Sequence, residues 1–361
     1  MRTAIVLGTR PEITKLAPVI KAFAAKGADF LLIHTGQHFS QEMDQAFFDV
    51  LDLPAPAYNL HVPEGGHGYR TGKMLIGIED VLRKDPVDYM VVHGDTNSTV
   101  AGALVAAKLN LPVGHVEAGL RSFDRTMPEE VNRVICDHIA TDLFAPTREA
   151  VGWLGAEGLT KGVFLTGNTI VDSVYYLKER LPDTLLAHYG VKHGRYMFLT
   201  CHRQENTDDP VRLAGIIDGL ALVARDSGLP ILYSMHPRTK GRLEQYGLFG
   251  RLEVIPGLRI IFPPIGFLES LTFQAHATLV LTDSGGLQEE SCILGVPCVT
   301  LRENTERPET LGIGSNVLAG YDPQAILAAC RRMTGRRGGW VNPYGDGRSG
   351  ERIVDIILGT K

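Results

Sequence analysis

Short apolar runs separated by amphipathic stretches recur through both halves of this 361-residue chain. Gly, Pro or polar residues bound each run, which is the pattern of a strand buried on both faces of a parallel sheet. The runs are TAIVLG, FLLIHTG, DYMVVHGD, PVGHVEAG and DLFAP, then RYMFLTCH, LPILYSMHP, RIIFPP, ATLVLTDSGG and GVPCVTLRE. The alternation predicts an α/β protein with two Rossmann-like domains and a cleft between them.

The domain boundary is expected near residue 170, where the segment VFLTGNTIVDSV changes from a strand ending at Gly167 to a helix. Residues 1–170 then form the N-terminal Rossmann-like domain, and residues 171–344 form the C-terminal one. Residues 345–361 follow a turn and have the pattern of an amphipathic helix. Either domain could receive this last helix.

The bulk composition limits the class of protein and of partner. Hydrophobic residues make up 44% of the chain and charged residues 21%, as in an ordinary globular protein. A net charge of −5 would not attract a polyanion, so nucleic acid is not an expected partner. Five scattered cysteines without CxxC spacing argue against disulfides and a zinc site. Because there is neither a signal-peptide pattern nor an apolar run near ~18 residues, we expect a cytoplasmic protein that does not enter a membrane.

Polar residues cluster where the predicted strands end. In open parallel sheets, ligands bind beyond the carboxyl ends of the strands. Six strand ends from both halves carry such clusters, at residues 8–15, 93–95, 115–117, 201–205, 236–238 and 283–290. A site shared between the two domains is therefore predicted.

The segment LTDSGGLQEE places Ser284, Gly285 and Gly286 between a strand and a helix. Glycines at this point let a ligand approach the backbone, and the first N–H groups of the helix favour an anion such as a diphosphate. Glu290, about one turn further on, could accept hydrogen bonds from ribose hydroxyls. The alternative is a tight turn with an N-cap and no ligand.

The segment GTRPEITKLAP follows the first strand, and Pro11 is suited to begin a helix there. Arg10 and Lys15 would project around the start of that helix, either toward a ligand or as plain surface charges. The segment lacks the GxGxxG fingerprint, and no Walker sequence occurs in the chain, so NAD and ATP chemistry are not supported.

Three carboxylates are candidates for acid/base chemistry. Asp95 and Glu117 each end a buried strand, and Glu129 follows a proline before a helical pattern. Burial can raise the pKa of such carboxylates toward neutral pH, and mutual repulsion can keep one of them protonated, as proton transfer requires. The alternatives are that Asp95 caps a helix and that Glu129 serves the helix dipole; for Asp124 and Glu130 we prefer a structural role.

The segment LTCHRQEN places His202 and Arg203 after the first strand of the second half. A histidine there can neutralise a diphosphate or move a proton, and an arginine can fork to phosphate. The other histidines lack HExxH or comparable spacing, so no catalytic metal is expected.

Taken together, these segments resemble one known family. In order, and over nearly the whole chain, they are GTRPEITKLAP, HTGQH, HGDTNST, HVEAGLRS, MPEEVNR, GNTIVD, HRQEN, DSGGLQEE, LGVPCVTLR and TERPE. Each string is weak alone, but the set is highly specific. In this respect the chain is similar to the non-hydrolysing UDP-N-acetylglucosamine 2-epimerases, most of all to their archaeal branch.

The resemblance implies a glycosyltransferase B-like fold, a homodimer, no cofactor, and interconversion of UDP-GlcNAc and UDP-ManNAc. In that family UDP leaves by anti elimination, 2-acetamidoglucal forms, and UDP adds back after C2 is reprotonated on the other face. The matching motifs imply catalytic roles for Asp95, Glu117, Glu129 and His202. They imply UDP binding by Arg10, Lys15, Ser284, Gly285, Gly286, Glu290 and Arg307.

Some positions depart from the bacterial members of the family. This chain has HRQE at 202–205 where HRRE is frequent, Ser40 in place of a Gln, and HPRT from His236 in place of HxNP. These sites bear on a second, regulatory UDP-GlcNAc pocket, to which the resemblance also assigns Gln37, Arg203 and His236. Weak regulation is therefore expected.

Three other functions compete with this interpretation. The segments SFDRTMPEEVNR and HTGQHF also resemble the branch acting on UDP-2,3-diacetamido-glucuronic acid, although TERPE at 305–309 favours the UDP-GlcNAc branch. A glycosyltransferase of the same fold would need an acceptor groove, and a nucleotide-sugar sensor would not need the carboxylates.

Overall fold

A computed structural model describes residues 1–37, 41–182 and 184–360, without the side chains of residues 41–44. The chain forms two compact units, which we call unit 1 (Met1–Tyr175 with Tyr344–Lys361) and unit 2 (Tyr176–Pro343). Each unit contains one parallel sheet with helices, so the predicted pair of Rossmann-like α/β domains is confirmed.

The strands are short and, where paired, parallel throughout the described residues. In unit 1 they are β1 (Thr3–Leu7), β2 (Phe30–His34), β3 (Tyr58–Asn59), β4 (Tyr89–His93), β5 (Val113–Val116), β6 (Asp142–Ala145) and β7 (Val163–Leu165). In unit 2 they are β8 (Met197–Thr200), β9 (Ile231–Ser234), β10 (Leu258–Ile261), β11 (Leu279–Thr282), β12 (Cys298–Thr300) and β13 (Asn316–Leu318).

Helices connect the strands, as a parallel sheet requires. The first eight are α1 (Arg10–Ala25), α2 (Gln41–Val50), α3 (His67–Lys84), α4 (Asn97–Lys108), α5 (Pro128–Ile139), α6 (Arg148–Ala156), α7 (Thr169–Lys178) and α8 (Thr184–His188). They are followed by α9 (Gln204–Thr207), α10 (Pro210–Ser227), α11 (Pro237–Gln245), α12 (Phe249–Glu253), α13 (Phe267–His276), α14 (Gly285–Ile293), α15 (Pro308–Gly312), α16 (Pro323–Met333) and α17 (Ser349–Leu358).

The strand order reverses once in each sheet. The order is β3-β2-β1-β4-β5-β6-β7 in unit 1 and β10-β9-β8-β11-β12-β13 in unit 2. In unit 1 the strands after β1 are added on one side as far as β3, and β4 then pairs with the other side of β1. In unit 2 the strands after β8 are added as far as β10, and β11 pairs with the other side of β8. Loops leaving the two strands at the reversal diverge, and this is where ligands bind in open α/β sheets. The two reversals are β1/β4 and β8/β11.

Apolar side chains fill both faces of each sheet, which explains the continuous apolar runs of the strands. Val6 and Val92 lie in the core of unit 1, and Leu199 and Leu281 lie in that of unit 2. Helix α4 lies close against its sheet at Gly102. A Cβ added to Gly102 would come within 2.9 Å of Val92 Cγ1. A larger residue there would push the helix away.

The C-terminal helix α17 packs on α1 in unit 1. A Cβ added to Gly350 would lie 2.6 Å from the backbone carbon of Pro18, so only glycine permits this approach. The Gly350 N–H donates to Asp172 Oδ1 at 2.9 Å, and Lys26 Nζ pairs with Asp355 Oδ1 at 2.8 Å. No helix of the described residues has both the length and the apolar character needed to cross a membrane.

Candidate active site

In unit 1, a buried carboxylate joins the two strand ends at the β1/β4 reversal. Glu12 Oε2 accepts the N–H of Gly8 at 2.9 Å, and its Oε1 accepts the hydroxyls of Thr96 at 2.7 Å and Thr99 at 3.2 Å. Burial raises the pKa of Glu12, although these hydrogen bonds and the nearby His93 oppose that rise. Glu12 was not among the predicted site residues, and it holds the GTRPE and HGDT loops together.

Glu117 lies just beyond β5, and its carboxylate is the centre of a small cluster. Lys15 Nζ forms an ion pair with Glu117 Oε2, and His93 Nε2 lies 3.2 Å from the same oxygen. The side chains of Lys15 and Glu117 are only 12% and 10% exposed, so water screens the pair little. The structure thus brings together a residue predicted to bind UDP and one predicted to be catalytic.

The backbone of Glu117 is in the left-handed region, with φ +70°. This conformation is uncommon for a residue with a Cβ and costs of order 1–3 kcal/mol unless the surroundings hold it. Such strain often occurs at functional sites. It turns the chain so that the Glu117 side chain reaches Lys15 from α1 and His93 from the end of β4.

Asp95 follows β4 and pairs with Arg133 of α5, whose Nη2 lies 2.5 Å from Asp95 Oδ2. Asn132 Nδ2 also donates to the Asp95 carbonyl at 2.8 Å. The alternative that Asp95 caps a helix is wrong, because Thr96 is the N-cap of α4 and accepts the N–H of Thr99. The Asp95 carboxylate is therefore held by a cation rather than used in a cap.

The neighbouring carboxylates Glu129 and Glu130 have different surroundings in the first turn of α5. Glu130 is buried and accepts the N–H groups of Ser122 at 2.8 Å and Phe123 at 3.0 Å, besides pairing with Arg133 at 2.9 Å. Burial alone would raise the pKa of Glu130, but these hydrogen bonds lower it. Glu129 is exposed, and its carboxylate has no hydrogen bond or ion pair with any residue of the described ranges. The contacts shown here do not join it to Asp95 or Glu117.

In unit 2, Asp283 has the joining role that Glu12 has in unit 1. Its carboxylate follows β11 and accepts the N–H groups of His202 and Arg203, each at 2.9 Å, and Asn206 Nδ2 at 3.1 Å. Asp283 is fully buried. It fixes the HRQEN loop after β8 against the DSGG loop after β11, and it too was not singled out in the sequence.

Two guanidinium groups lie at the start of α14. A Cβ on Gly285 would be 3.9 Å from Arg203 Nη2 and 3.9 Å from Arg307 Cζ. Ser284 occupies the N-cap position, but its side chain makes no capping hydrogen bond. No residue of the described part of the chain accepts a hydrogen bond from the buried Nε of Arg203. A carboxylate oxygen of Glu306 would also lie 3.7 Å from that Cβ on Gly285, but the helix dipole and the two cations favour an anion at this point.

Acidic residues pair with Arg307 and with a neighbouring arginine, Arg302. Arg307 Nε pairs with Glu289 Oε1 at 2.5 Å, and Arg302 Nη1 pairs with Glu306 Oε2 at 2.8 Å. Burial raises the pKa of Glu306, but the hydrogen bond and charge of Arg302, with the charge of Arg203, lower it to about 2. Glu306 is thus a carboxylate that keeps its charge beside the arginines.

The remaining predicted UDP-binding residues lie near the same helix starts. Glu290 is buried in α14 and accepts Gln274 Nε2 at 2.6 Å, and a Cβ on Gly286 would lie 3.8 Å from Glu290 Oε1. In unit 1, Arg10 is the first residue of α1, and its guanidinium lies 5.9 Å from the centroid of the Phe47 ring.

The residues predicted for a regulatory pocket occupy three places. Gln37, in unit 1, accepts the Ser98 hydroxyl at 2.8 Å. His236 is the N-cap of α11, and its ring centroid lies 5.9 Å from that of His202. Burial lowers the pKa of His236, helped by the charges of His202 and Arg238. Arg203 lies at α14, and Ser40 falls outside the described residues.

Within the described residues, no group of three or more His, Cys, Asp and Glu side chains is placed to hold a metal ion. The described side chains offer two arginines at a helix start in unit 2, and in unit 1 a carboxylate, Glu117, in contact with a lysine and a histidine.

Comparison with known proteins assigns the family. The family model described as UDP-N-acetylglucosamine 2-epimerase matches residues 21–358. A UDP-N-acetylglucosamine 2-epimerase of Methanocaldococcus jannaschii is 49% identical, with 99% of each chain covered. A UDP-2,3-diacetamido-2,3-dideoxy-D-glucuronate 2-epimerase of Pseudomonas aeruginosa is 39% identical, again with 99% of each chain covered.

A solved structure agrees with the match to the M. jannaschii enzyme. The crystal structure of the M. jannaschii UDP-GlcNAc 2-epimerase in complex with UDP-GlcNAc and UDP has a TM-score of 0.88 and 49% identity, covering 99% of this chain and 100% of that one. The resemblance found in the sequence motifs is confirmed, including its archaeal branch. The chain therefore belongs to the UDP-N-acetylglucosamine 2-epimerase family of isomerases.

Proposed function

We propose that this protein interconverts UDP-GlcNAc and UDP-ManNAc by anti elimination of UDP and its re-addition through 2-acetamidoglucal. The observation that carries the proposal is the pair of arginines at the start of α14, Arg203 and Arg307, beside Ser284 and Gly285. A diphosphate leaving group develops charge as it departs, and preorganised cations and helix N–H groups stabilise that charge.

The proposed reaction needs groups that move one proton. A base removes the C2 proton, the electron pair forms the C1=C2 double bond, and the C1–O bond breaks as UDP leaves with its bonding pair. An acid then returns a proton to the opposite face of C2, and a UDP oxygen adds to C1. Asp95, Glu117 and Glu129 are the proposed carboxylates, and His202 is the proposed proton carrier nearest the diphosphate.

Lys15 and His93 support the assignment of Glu117. Both contact one oxygen of its carboxylate, and both are largely buried. Donors on that oxygen hold the side chain in one orientation, as a proton-transferring group requires. Cleavage of the C1–O bond ahead of proton removal would leave positive charge on the sugar, which nearby carboxylates would stabilise.

A related UDP-sugar is the second candidate substrate, supported by the 39% identity to the P. aeruginosa enzyme over 99% of this chain. The test incubates the purified protein with UDP-GlcNAc or with UDP-2,3-diacetamido-glucuronic acid and follows the anomeric signals by proton NMR. We expect an equilibrium mixture with UDP-ManNAc from the first substrate and little turnover of the second. The opposite preference would assign the chain to the other branch, and no turnover of either would overturn the proposal.

Two further properties belong to this proposal. We expect the protein to be a homodimer and to act in the cytoplasm, where its UDP-sugar substrate is made and used. Light scattering coupled to size-exclusion chromatography measures the mass in solution, and twice the 39.4 kDa of the chain is the expected result.

A further inference from the structure

His115 of β5 lies between two hydrogen-bond acceptors in the interior of unit 1. Its Nδ1 is 2.7 Å from Asp137 Oδ1, and its Nε2 is 2.8 Å from the carbonyl oxygen of Gly94. The side chains of His115 and Asp137 are both 0% exposed. A carbonyl oxygen can only accept, so the nitrogen facing Gly94 has to carry a proton.

Asp137 has the surroundings of an ionised carboxylate. Its second oxygen, Oδ2, accepts Arg121 Nη1 at 2.6 Å and the N–H of Gly119 at 3.1 Å. Burial raises the pKa of Asp137, whereas the charge and hydrogen bond of Arg121 lower it. An ionised carboxylate accepts only, so the second ring nitrogen of His115 also has to donate.

A neutral ring does not fit this geometry. One of its nitrogens would present a lone pair to an oxygen lone pair 2.7 or 2.8 Å away, which is repulsive and leaves a buried acceptor unsatisfied. The charge of an imidazolium at His115 would be balanced by Asp137, which faces the ring directly. The charge of Arg121 is balanced separately by Glu157, through hydrogen bonds of 2.6 and 2.7 Å. Charge and hydrogen bonding are balanced only with both ring nitrogens protonated.

We propose that His115 is an imidazolium in the folded protein and a positioning residue that holds the turn carrying Asp95 against the turn carrying Glu117. Gly94 immediately precedes Asp95, and Gly119 closely follows Glu117. Both glycines have positive φ, +71° and +82°, so both turns are sharp. The chain of hydrogen bonds from Gly94 through His115 and Asp137 to Gly119 links the two turns through buried side chains.

The protonation state is tested on the unmodified protein, independently of any activity. The protein is labelled with ¹⁵N in its 12 histidines, and long-range proton–nitrogen spectra are recorded at about pH 8.5, about two units above the ordinary histidine pKa. One histidine should still show imidazolium shifts at both ring nitrogens, with slowly exchanging protons. A spectrum in which every histidine is neutral would overturn the proposal.

Asp137→Asn and His188→Gln separate the positioning role from general stability. Asp137→Asn should abolish the imidazolium signal and lower kcat by about 10- to 100-fold with KM within about 2-fold, because it disturbs the placement of reacting groups. His188 is exposed on α8, so its variant should keep the signal and the kinetics. The catalytic part rests on the proposed function, whereas the NMR signal does not. Wild-type kcat in Asp137→Asn without the signal would refute positioning, and the signal surviving in Asp137→Asn would refute the link to Asp137.

Discussion

The ammonium of Lys15 and the carboxylate of Glu117 form a buried ion pair, with the His93 ring 3.2 Å from the same carboxylate oxygen. The sequence resemblance assigns Lys15 to UDP and Glu117 to proton transfer, yet the two side chains touch. The lysine cation holds the carboxylate in one orientation, as a group that transfers a proton requires.

Glu117→Gln should lower kcat by about 10²-fold or more, because the amide keeps the shape of the side chain but cannot accept a proton. The amide also removes the charge that pairs with the Lys15 ammonium, so some loss of stability is expected as well. Steady-state kinetics and thermal unfolding of the same sample measure the two effects. The matched control is Glu79→Gln, an exposed carboxylate paired with Arg83 on α3, which should change neither. Near wild-type kcat in Glu117→Gln would remove Glu117 from the mechanism.

Asp95→Asn should also lower kcat by about 10²-fold or more. The variant removes the charge facing Arg133 while Asn132 keeps its bond to the Asp95 carbonyl, so the fold should survive. Circular dichroism checks the fold, and single-turnover kinetics shows whether the chemical step is the one slowed. An unchanged rate of the chemical step would show that Asp95 has only a structural role.

Adjacent carboxylates provide a matched pair on one helix. Glu129→Gln should lower kcat about 10²-fold without loss of stability, since no described residue forms a hydrogen bond or ion pair with the Glu129 carboxylate. Glu130→Gln should instead cost about 1–3 kcal/mol in the free energy of unfolding, because a buried acceptor of two backbone N–H groups loses its charge. Denaturant unfolding and kinetics on both variants measure this difference. The reverse pattern would exchange the two roles.

Most of the fold could be predicted from the sequence because most strands are continuous apolar runs, but the edge strands β3 and β13 could not. β3 has two residues and β13 has three, and each includes an asparagine, so neither forms an apolar run. Both lie at the edge of a sheet, where one side needs no burial. The local pattern of apolar residues therefore does not predict β3 or β13.

The candidate site was predictable as a set of loops but not as a set of contacts. The motifs point to the loop that contains Asp283, yet nothing local indicates that its carboxylate accepts the N–H of His202, which lies 81 residues away in sequence. The same holds for Glu12 and Thr96. Such contacts depend on which strands are neighbours, and that is decided by the sheet topology.

Gly285→Ala should weaken UDP binding about 10-fold while leaving the fold intact. The added Cβ would lie no closer than 3.7 Å to any neighbour, which is ordinary van der Waals contact, but it would occupy space beside Arg203 and Arg307 where we propose the diphosphate binds. Titration calorimetry with UDP measures the affinity. Gly241→Ala, on helix α11 with nothing near its added Cβ, is the control. Wild-type affinity in Gly285→Ala would contradict the assignment.

Stability should fall in acid partly through Glu306, whose pKa is lowered from 4.5 to about 2. Because its folded-state pKa is depressed, its contribution is present above pH 4.5 and is lost as the pH falls toward 2. The difference in unfolding free energy between wild type and Glu306→Gln should therefore shrink between about pH 6 and about pH 3. Glu253→Gln, at an exposed position, should show no such trend. A difference independent of pH would contradict the lowered pKa.

UDP-GlcNAc should activate the enzyme only weakly, so the reaction on UDP-ManNAc should start without it. Arg238, two residues after His236, is paired with Asp208 at 2.7 Å, so an additional ligand would compete with that carboxylate for the guanidinium. Ser40 stands in place of a Gln, so we expect one hydrogen bond to the effector to be lost. Such a loss costs about 0.5–1.5 kcal/mol, comparable with a typical allosteric coupling free energy of about 1–3 kcal/mol. Initial rates on purified UDP-ManNAc measure this. A lag abolished by trace UDP-GlcNAc would show strong activation instead.

The central claim is elimination and re-addition of UDP without a redox cofactor or metal, and isotope exchange at C2 tests it most directly. The protein is incubated with UDP-GlcNAc in deuterated water containing EDTA and no NAD, and the sugars are analysed by NMR and mass spectrometry. We predict full activity, one deuterium at C2 of the UDP-ManNAc formed, and labelled UDP-GlcNAc as equilibrium is reached. Epimerisation that retains the C2 hydrogen, or activity that requires added NAD, would contradict the account.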